Sequence, residues 1–123
     1  MSENVENQIN YIEIPAKDLD VAREFFGKLF GWTFEDYGPE YLAFNDGRME
    51  GGFAKSDETA SAARGSVLVI FYAEDLEATQ VRVVDCGGTV GREIFSFPGG
   101  RRFHFTDPNG NEFAIWSDKG AIG

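Results

Sequence analysis

The feature of this sequence that most constrains its fold is an internal repeat. Ile12 and Val69, Ile14 and Phe71, Ala16 and Ala73, Asp18 and Asp75, Leu19 and Leu76, and Gly31 and Gly88 are each 57 positions apart. Further on, Phe44 with Phe105 and Asp46 with Asp107 are each 61 apart. A fixed offset with one small drift is the trace of a duplicated unit in which one loop has changed length. One half alone would leave the bare face of a small sheet in water, whereas two halves can pack and bury it. The expectation is a single domain of two repeats, about residues 9–55 and 66–117, joined by a linker at 56–65. A length of 123 residues suits one domain.

Each half reads as strand, helix and three strands. From Asn10 to Ala16, Ile12 and Ile14 alternate with Tyr11 and Glu13, the pattern of a half-buried strand. Asp18 supplies an N-cap for a helix from Leu19 to Phe30, whose Ala22, Phe25, Phe26, Leu29 and Phe30 share one face. Gly31 stands where a left-handed residue ends such a helix. Strands are predicted at Trp32 to Tyr37, Glu40 to Phe44 and Arg48 to Lys55, with a hairpin turn at Asn45-Asp46-Gly47. Ser56 to Gly65 is small and polar, a linker with room for one helical turn. The pattern then restarts: a strand at Ser66 to Ala73, a helix capped by Asp75 and closed by Gly87-Gly88, and strands at Thr89 to Phe95, Arg102 to Thr106 and Asn111 to Ser117. The fold class is α+β.

Charge narrows the partners. The net charge of −10 repels a phosphate backbone and an anionic membrane surface, so neither nucleic acid nor membrane is an expected partner. No apolar run approaches the ~20 residues of a membrane span, and the polar, acidic Met1 to Gln8 does not read as a signal peptide. The single cysteine, Cys86, allows no internal disulfide, which fits a reducing cytoplasm. Twelve Phe, four Tyr and two Trp supply both core and the material for lining an organic-ligand pocket.

The segments IEIPAKDLDVAREFFGKLFGW, AEDLEATQVRVVDCGG and FTDPNGNEFAIW together resemble the vicinal-oxygen-chelate superfamily, which includes glyoxalases, bleomycin-resistance proteins and dioxygenases. The resemblance runs over about residues 9 to 117 and is strongest to the glyoxalase-related branch without an assigned reaction. It implies two βαβββ modules forming a curled mixed sheet around a cavity, and a homodimer. It also implies a divalent-metal site of His and Glu. Carried over position by position, those ligands fall at Tyr11, Leu68, Ala114 and one of Glu50, Gly51 or Gly52. Leu and Ala offer no donor and Tyr is a rare ligand. With one histidine, His104, a two-His-one-carboxylate site cannot form within one chain. No metal and no other cofactor is expected.

Strand alternation then sorts the faces. If Ile12, Ile14, Val69 and Phe71 pack on their helices, then Tyr11, Glu13, Leu68, Ile70 and Tyr72 face the cavity. If Phe103, Phe105, Phe113 and Ile115 form the helix-side set, Arg102, His104, Thr106, Glu112, Ala114 and Trp116 lie opposite. A bulge would invert any such set. The candidate catalytic pair is Glu13 with His104, since a carboxylate beside an imidazole can pass a proton near neutrality; the same pair also reads as a structural hydrogen bond. Tyr11, Leu68, Ile70, Tyr72, Arg102, Glu112 and Trp116 are the candidate ligand-binding residues, with Tyr72 and Trp116 placed to sandwich a flat ligand. Glu112 also reads as solvated. Phe97 to Arg102 reads either as a flap with an anion-pairing pair of arginines or as local charge neutralisation, and Gly51-Gly52 as a bulge or a close approach. Two functions follow: a binding module that sequesters or senses a small hydrophobic or aromatic molecule, or a lyase, isomerase or dioxygenase-type enzyme of the same superfamily, metal-free through Glu13 and His104 or with a non-standard divalent metal site.

Overall fold

The computed structural model describes residues 4–120, so the first three residues of the acidic N-terminal stretch lie outside the described residues. The chain divides into two compact units, residues 1–59 and 60–123. Each has one helix and one four-stranded sheet. No described helix is long and apolar enough to cross a membrane.

In the first unit β1 (Tyr11–Ala16) leads into α1 (Leu19–Phe30), followed by β2 (Thr33–Asp36), β3 (Tyr41–Asn45) and β4 (Glu50–Lys55). Asp18, in extended backbone, accepts the Val21 N–H through its carboxylate at 3.1 Å, and Gly31 ends the helix at φ 73°. The buried face Ala22, Phe25, Phe26 and Leu29 packs on the sheet. Phe26 stacks on Trp32 at 4.5 Å and on Phe53 at 5.6 Å, and Trp32 stacks on Phe44 at 4.5 Å. The sheet order is β1-β4-β3-β2, with β1 parallel to β4 and the other pairs antiparallel.

Two strands are shorter than alternation predicts, for local reasons. The Trp32 N–H is spent on the Phe26 carbonyl, so β2 begins one residue later. The Arg48 and Met49 N–H groups both bond the Asp46 carboxylate, so β4 begins only at Glu50. The ladders through Gly51 and Gly52 are unbroken on both sides, so this pair is not a bulge. A side chain at Gly51 would meet Phe44 and the Ile12 carbonyl, and one at Gly52 would meet Tyr41. The two glycines make room for one aromatic ring on each face.

The second unit repeats the plan. It contains β5 (Val69–Tyr72), α2 (Leu76–Asp85), β6 (Thr89–Phe97), β7 (Gly100–Thr106) and β8 (Glu112–Ser117), preceded by a 3-10 turn at Ala62–Arg64. The order β5-β8-β7-β6 is the same as in the first sheet, with β5 parallel to β8. Asp75 caps α2 through the Ala78 N–H, and the Gly88 N–H returns to the Val83 carbonyl at 2.8 Å. Leu76, Thr79 and Val83 meet a helix-side layer of Phe103, Phe105, Phe113 and Ile115, all buried.

Here too the boundaries move. Leu68 falls just ahead of β5, and the Ser66 N–H, at the start of the expected strand, bonds the Ser61 carbonyl instead. Phe97 to Arg102 is not a flap loop but the end of a hairpin: Phe97 pairs with Gly100 across Pro98-Gly99, with Gly99 at φ 98°. The β6–β7 ladder shifts register between Val90 and Arg92 and again between Arg92 and Phe95.

Candidate functional site

The helix-free face of the first sheet carries tyrosines and carboxylates. Tyr11 and Glu13 on β1 share it with Tyr41, Ala43 and Asn45 on β3, Glu50 and Gly52 on β4, and Thr33 and Glu35 on β2, as the cross-strand registers require. A cavity of about 530 Å³ opens on it, lined among others by Tyr11, Glu35, Tyr37, Tyr41, Asn45 and Glu50. The Tyr11 and Tyr41 hydroxyls are 2.6 Å apart. Burial holds the Tyr41 phenol well above its ordinary range, and hydrogen bonds with Tyr11 and Glu13 push the same way. The charge of Glu35 raises Tyr37. Both phenols therefore stay protonated at neutral pH and act as donors beside carboxylates. This face suits hydrogen bonding to an organic ligand and does not generate a phenolate nucleophile.

The helix-free face of the second sheet has a different chemistry. On β7 and β8 it carries Arg102 opposite Trp116, His104 opposite Ala114, and Thr106 opposite Glu112. His104 is 8% exposed. Its Nδ1 lies 2.9 Å from Glu112 Oε2, while Glu112 Oε1 accepts the Ala62 N–H at 2.8 Å. The hydrogen bond to His104, then that to Ala62, lowers the Glu112 pKa, so the carboxylate is ionised at neutral pH and Nδ1 is the donor. The His104 Nε2 is buried with no hydrogen-bond partner. The two register shifts in β6 place Arg92 opposite His104 and Phe95 opposite Arg102. Arg92 and Phe95, three positions apart, would lie on opposite faces of a regular strand; the irregularity brings both to this one.

Most of the residues expected to line a ligand site occupy these two faces, but their partners differ from the simplest expectation. The carboxylate that His104 engages is Glu112 rather than Glu13, because Glu112 is its diagonal neighbour across the ladder. Glu112 is accordingly bonded, not solvated. Glu13 lies beside the Tyr41 hydroxyl in the other unit. Tyr72 and Trp116 are cross-strand neighbours in edge-to-face contact at 5.3 Å, so no slot for a flat ligand separates them. The Tyr72 hydroxyl donates to Asp118, whose carboxylate raises the phenol pKa. Ile70 and Tyr72 are 43% and 47% exposed, and Leu68 is half-buried. Of the two arginines after Pro98, Arg101 turns to the helix side and neutralises Glu77, while Arg102 makes no ion pair among the described residues.

Tyr37, Tyr41, Glu35, Arg92 and Phe95 are not among the sequence-predicted site residues. For Tyr41 and Glu35 the signal was present: the alternation rule applied to Tyr11 and Glu13 extends across the first sheet. For Arg92 and Phe95 it was not, because a register shift leaves strand parity undetermined.

The family's metal site can be tested against these residues. Ala114 is fully buried on the helix-free face of β8 and has no donor atom. Leu68 has none either. The first-sheet positions offer only Tyr11, bonded to Tyr41, and Glu50 opposite it. Among the described residues no group of three or more His, Cys, Asp or Glu side chains is gathered as a metal ligand set. This donor set does not fit a divalent cation.

The fold has counterparts in known proteins. The chain is 28% identical over 116 residues to the anthracycline biosynthesis protein DauV of Streptomyces sp. strain C5, a match covering 90% of this chain and 42% of that protein. It thus spans less than half the length of the curated relatives it matches. Two solved structures share the fold. A glyoxalase-related enzyme from Fulvimarina pelagi superposes with a TM-score of 0.74 at 20% identity, covering 90% of this chain and 88% of that one. TioX from Micromonospora sp. ML1 superposes with a TM-score of 0.68 at 19% identity, covering 91% and 99%. Residues 8–115 match the family model of the Glyoxalase/Bleomycin resistance protein/Dioxygenase superfamily, and the chain belongs to that superfamily.

Proposed function

We propose that this chain is a small-molecule-binding domain that holds a hydrophobic or aromatic ligand without a metal ion. The observation that carries the reading is Ala114: at a position where the family places a metal ligand, a fully buried methyl group stands on the helix-free sheet face. The cavity of about 530 Å³ supports it, because its volume lies in the range of small-molecule sites and its tyrosines combine apolar surface with polar tips. A relative named for anthracycline biosynthesis is in keeping with an organic ligand. The test is metal analysis of protein purified without chelator, together with a thermal-shift screen of aromatic metabolites. The expected result is substoichiometric metal and saturable, EDTA-insensitive stabilisation without turnover. A stoichiometric dication whose removal abolishes ligand binding overturns the proposal.

One observation favours a second reading, a metal-independent lyase or isomerase. Glu112 orients His104 and leaves Nε2 without a protein partner, the arrangement of a general base held by a carboxylate. Catalysed conversion of a bound compound that disappears in His104→Gln, with binding retained, would establish it.

A further inference from the structure

We infer that the helix-free face of the second sheet is a recognition site for a planar aromatic acid bearing a hydroxyl group, with Arg102 taking the acid group and His104 Nε2 hydrogen-bonding the hydroxyl. The inference rests on the binding reading above and names the ligand class. It starts from two guanidiniums without carboxylates. In a chain of net charge −10, Arg92 and Arg102 make no ion pair among the described residues. Aromatic faces hold them instead: the Arg92 Cζ lies 3.7 Å from the Phe95 ring centroid, and the Arg102 Cζ 5.4 Å from Phe95 and 6.0 Å from Phe97. A cation seated on a ring keeps its N–H donors in the guanidinium plane for another partner. The Arg102 Nε is buried and has no hydrogen-bond partner.

A second orphan lies two residues away on the same face. Buried polar atoms are almost always paired, so an unpaired one asks for a missing partner. His104 is more than nine-tenths buried, and its Nε2 has none. Glu112, held ionised, fixes the proton on Nδ1. With Nδ1 committed to Glu112, Nε2 is the ring nitrogen left for a ligand, and a hydroxyl, which can both donate and accept, pairs with it. Phe97 and Trp116, 6.5 Å apart at 45°, supply aromatic surface beside these groups, and Phe95 lies 6.0 Å from the imidazole. An acid group, a hydroxyl and a flat apolar body match these three features together. The two register shifts in β6 are what bring Arg92 and Phe95 into the set.

The test is isothermal titration of the full chain with 6-hydroxy-2-naphthoate, 2-naphthoate and 6-hydroxy-2-naphthamide. The hydroxy acid is expected to bind one per chain and about tenfold or more tighter than the amide, as a charge-assisted hydrogen bond implies. Arg102→Met should bring acid and amide to within about twofold of each other, and Arg102→Lys should restore part of the difference. The chain has a single histidine, so its nitrogen NMR signals are unambiguous. The Nε2 resonance should move with the hydroxy acid, saturating with the heat signal, and move little with 2-naphthoate. Equal affinity for acid and amide, a silent Nε2, or no binding of any of the three overturns the inference. Equal affinity for acid and amide leaves the metal-independent binding reading standing. Binding that EDTA abolishes sinks that reading even where the acid is preferred.

Discussion

Asp107 holds its carboxyl inside the turn between β7 and β8. It is 4% exposed; one oxygen accepts the Asn111 N–H at 2.8 Å, and the other is buried without a partner. Burial dominates over these hydrogen bonds and pushes the pKa up to about 6. A folded-state value above the unfolded one means the native chain holds this proton more tightly, so the contribution to stability is complete below the unfolded pKa near 3.8 and is lost as pH rises through about 6. At roughly 1.4 kcal/mol per pKa unit, the whole effect is on the order of 2–3 kcal/mol. Urea unfolding of the parent and of Asp107→Asn at pH 4 and pH 7 checks it: the parent should gain stability relative to the variant by that order as pH falls. A pH-independent difference would show that the turn solvates the charge better than its burial implies. Gly52 makes a second prediction at this scale. A methyl group there meets the Tyr41 ring and hydroxyl, so Gly52→Ala should displace Tyr41 and break its 2.6 Å contact with Tyr11. Overpacking of this kind costs about 1–3 kcal/mol, measurable by chemical denaturation, with loss of ligand-induced stabilisation for any compound seated in the first-unit cavity.

Among the elements, α1 was the most legible. Asp18, the apolar i, i+3, i+4 face and Gly31 are adjacent in sequence and act through local hydrogen bonds, so helix and caps follow from Leu19 to Phe30 as read. The segment 60–64 was less so. Its composition is that of a linker, yet Asn111 Oδ1 accepts the Ala60 N–H at 2.8 Å, the Ala60 carbonyl accepts the Glu112 N–H at 2.8 Å, and Glu112 Oε1 accepts the Ala62 N–H. These contacts reach back about fifty residues, beyond any periodicity argument. They also give Glu112 two roles at once, holding the 3-10 turn and orienting His104. Asn111→Ala removes a buried acceptor and should lower stability by about 1–3 kcal/mol. Hydrogen exchange should then show the Ala60 and Ala62 amides losing protection ahead of α2. Uniform loss across both would mean the clasp is part of the global fold and not a local latch. The β6 hairpin marks the other limit of legibility: its register shifts are set by the partner strand, so the face of Arg92 and Phe95 could not be counted from either end.

At the scale of the whole chain, the repeat was legible because duplication preserves spacing, and both sheets do share one strand order. The ligand site was legible only as a face, because which neighbour a side chain takes depends on the ladder. The surface is consistent with association: Val67 is 86% exposed, Val81 60% and Val84 53%, all in the second unit, in a chain whose net charge of −10 opposes non-specific contact. The expected state is a homodimer, with a light-scattering mass of about twice 13.6 kDa. Val67→Glu and Val81→Glu, on a loop and on α2 respectively, distinguish the face: the substitution that lies in the interface should shift the mass to one chain without lowering the monomer's helix content. A mass of one chain for the unsubstituted protein across micromolar concentrations would set the dimer aside, and a ligand site would then have to be complete within one chain.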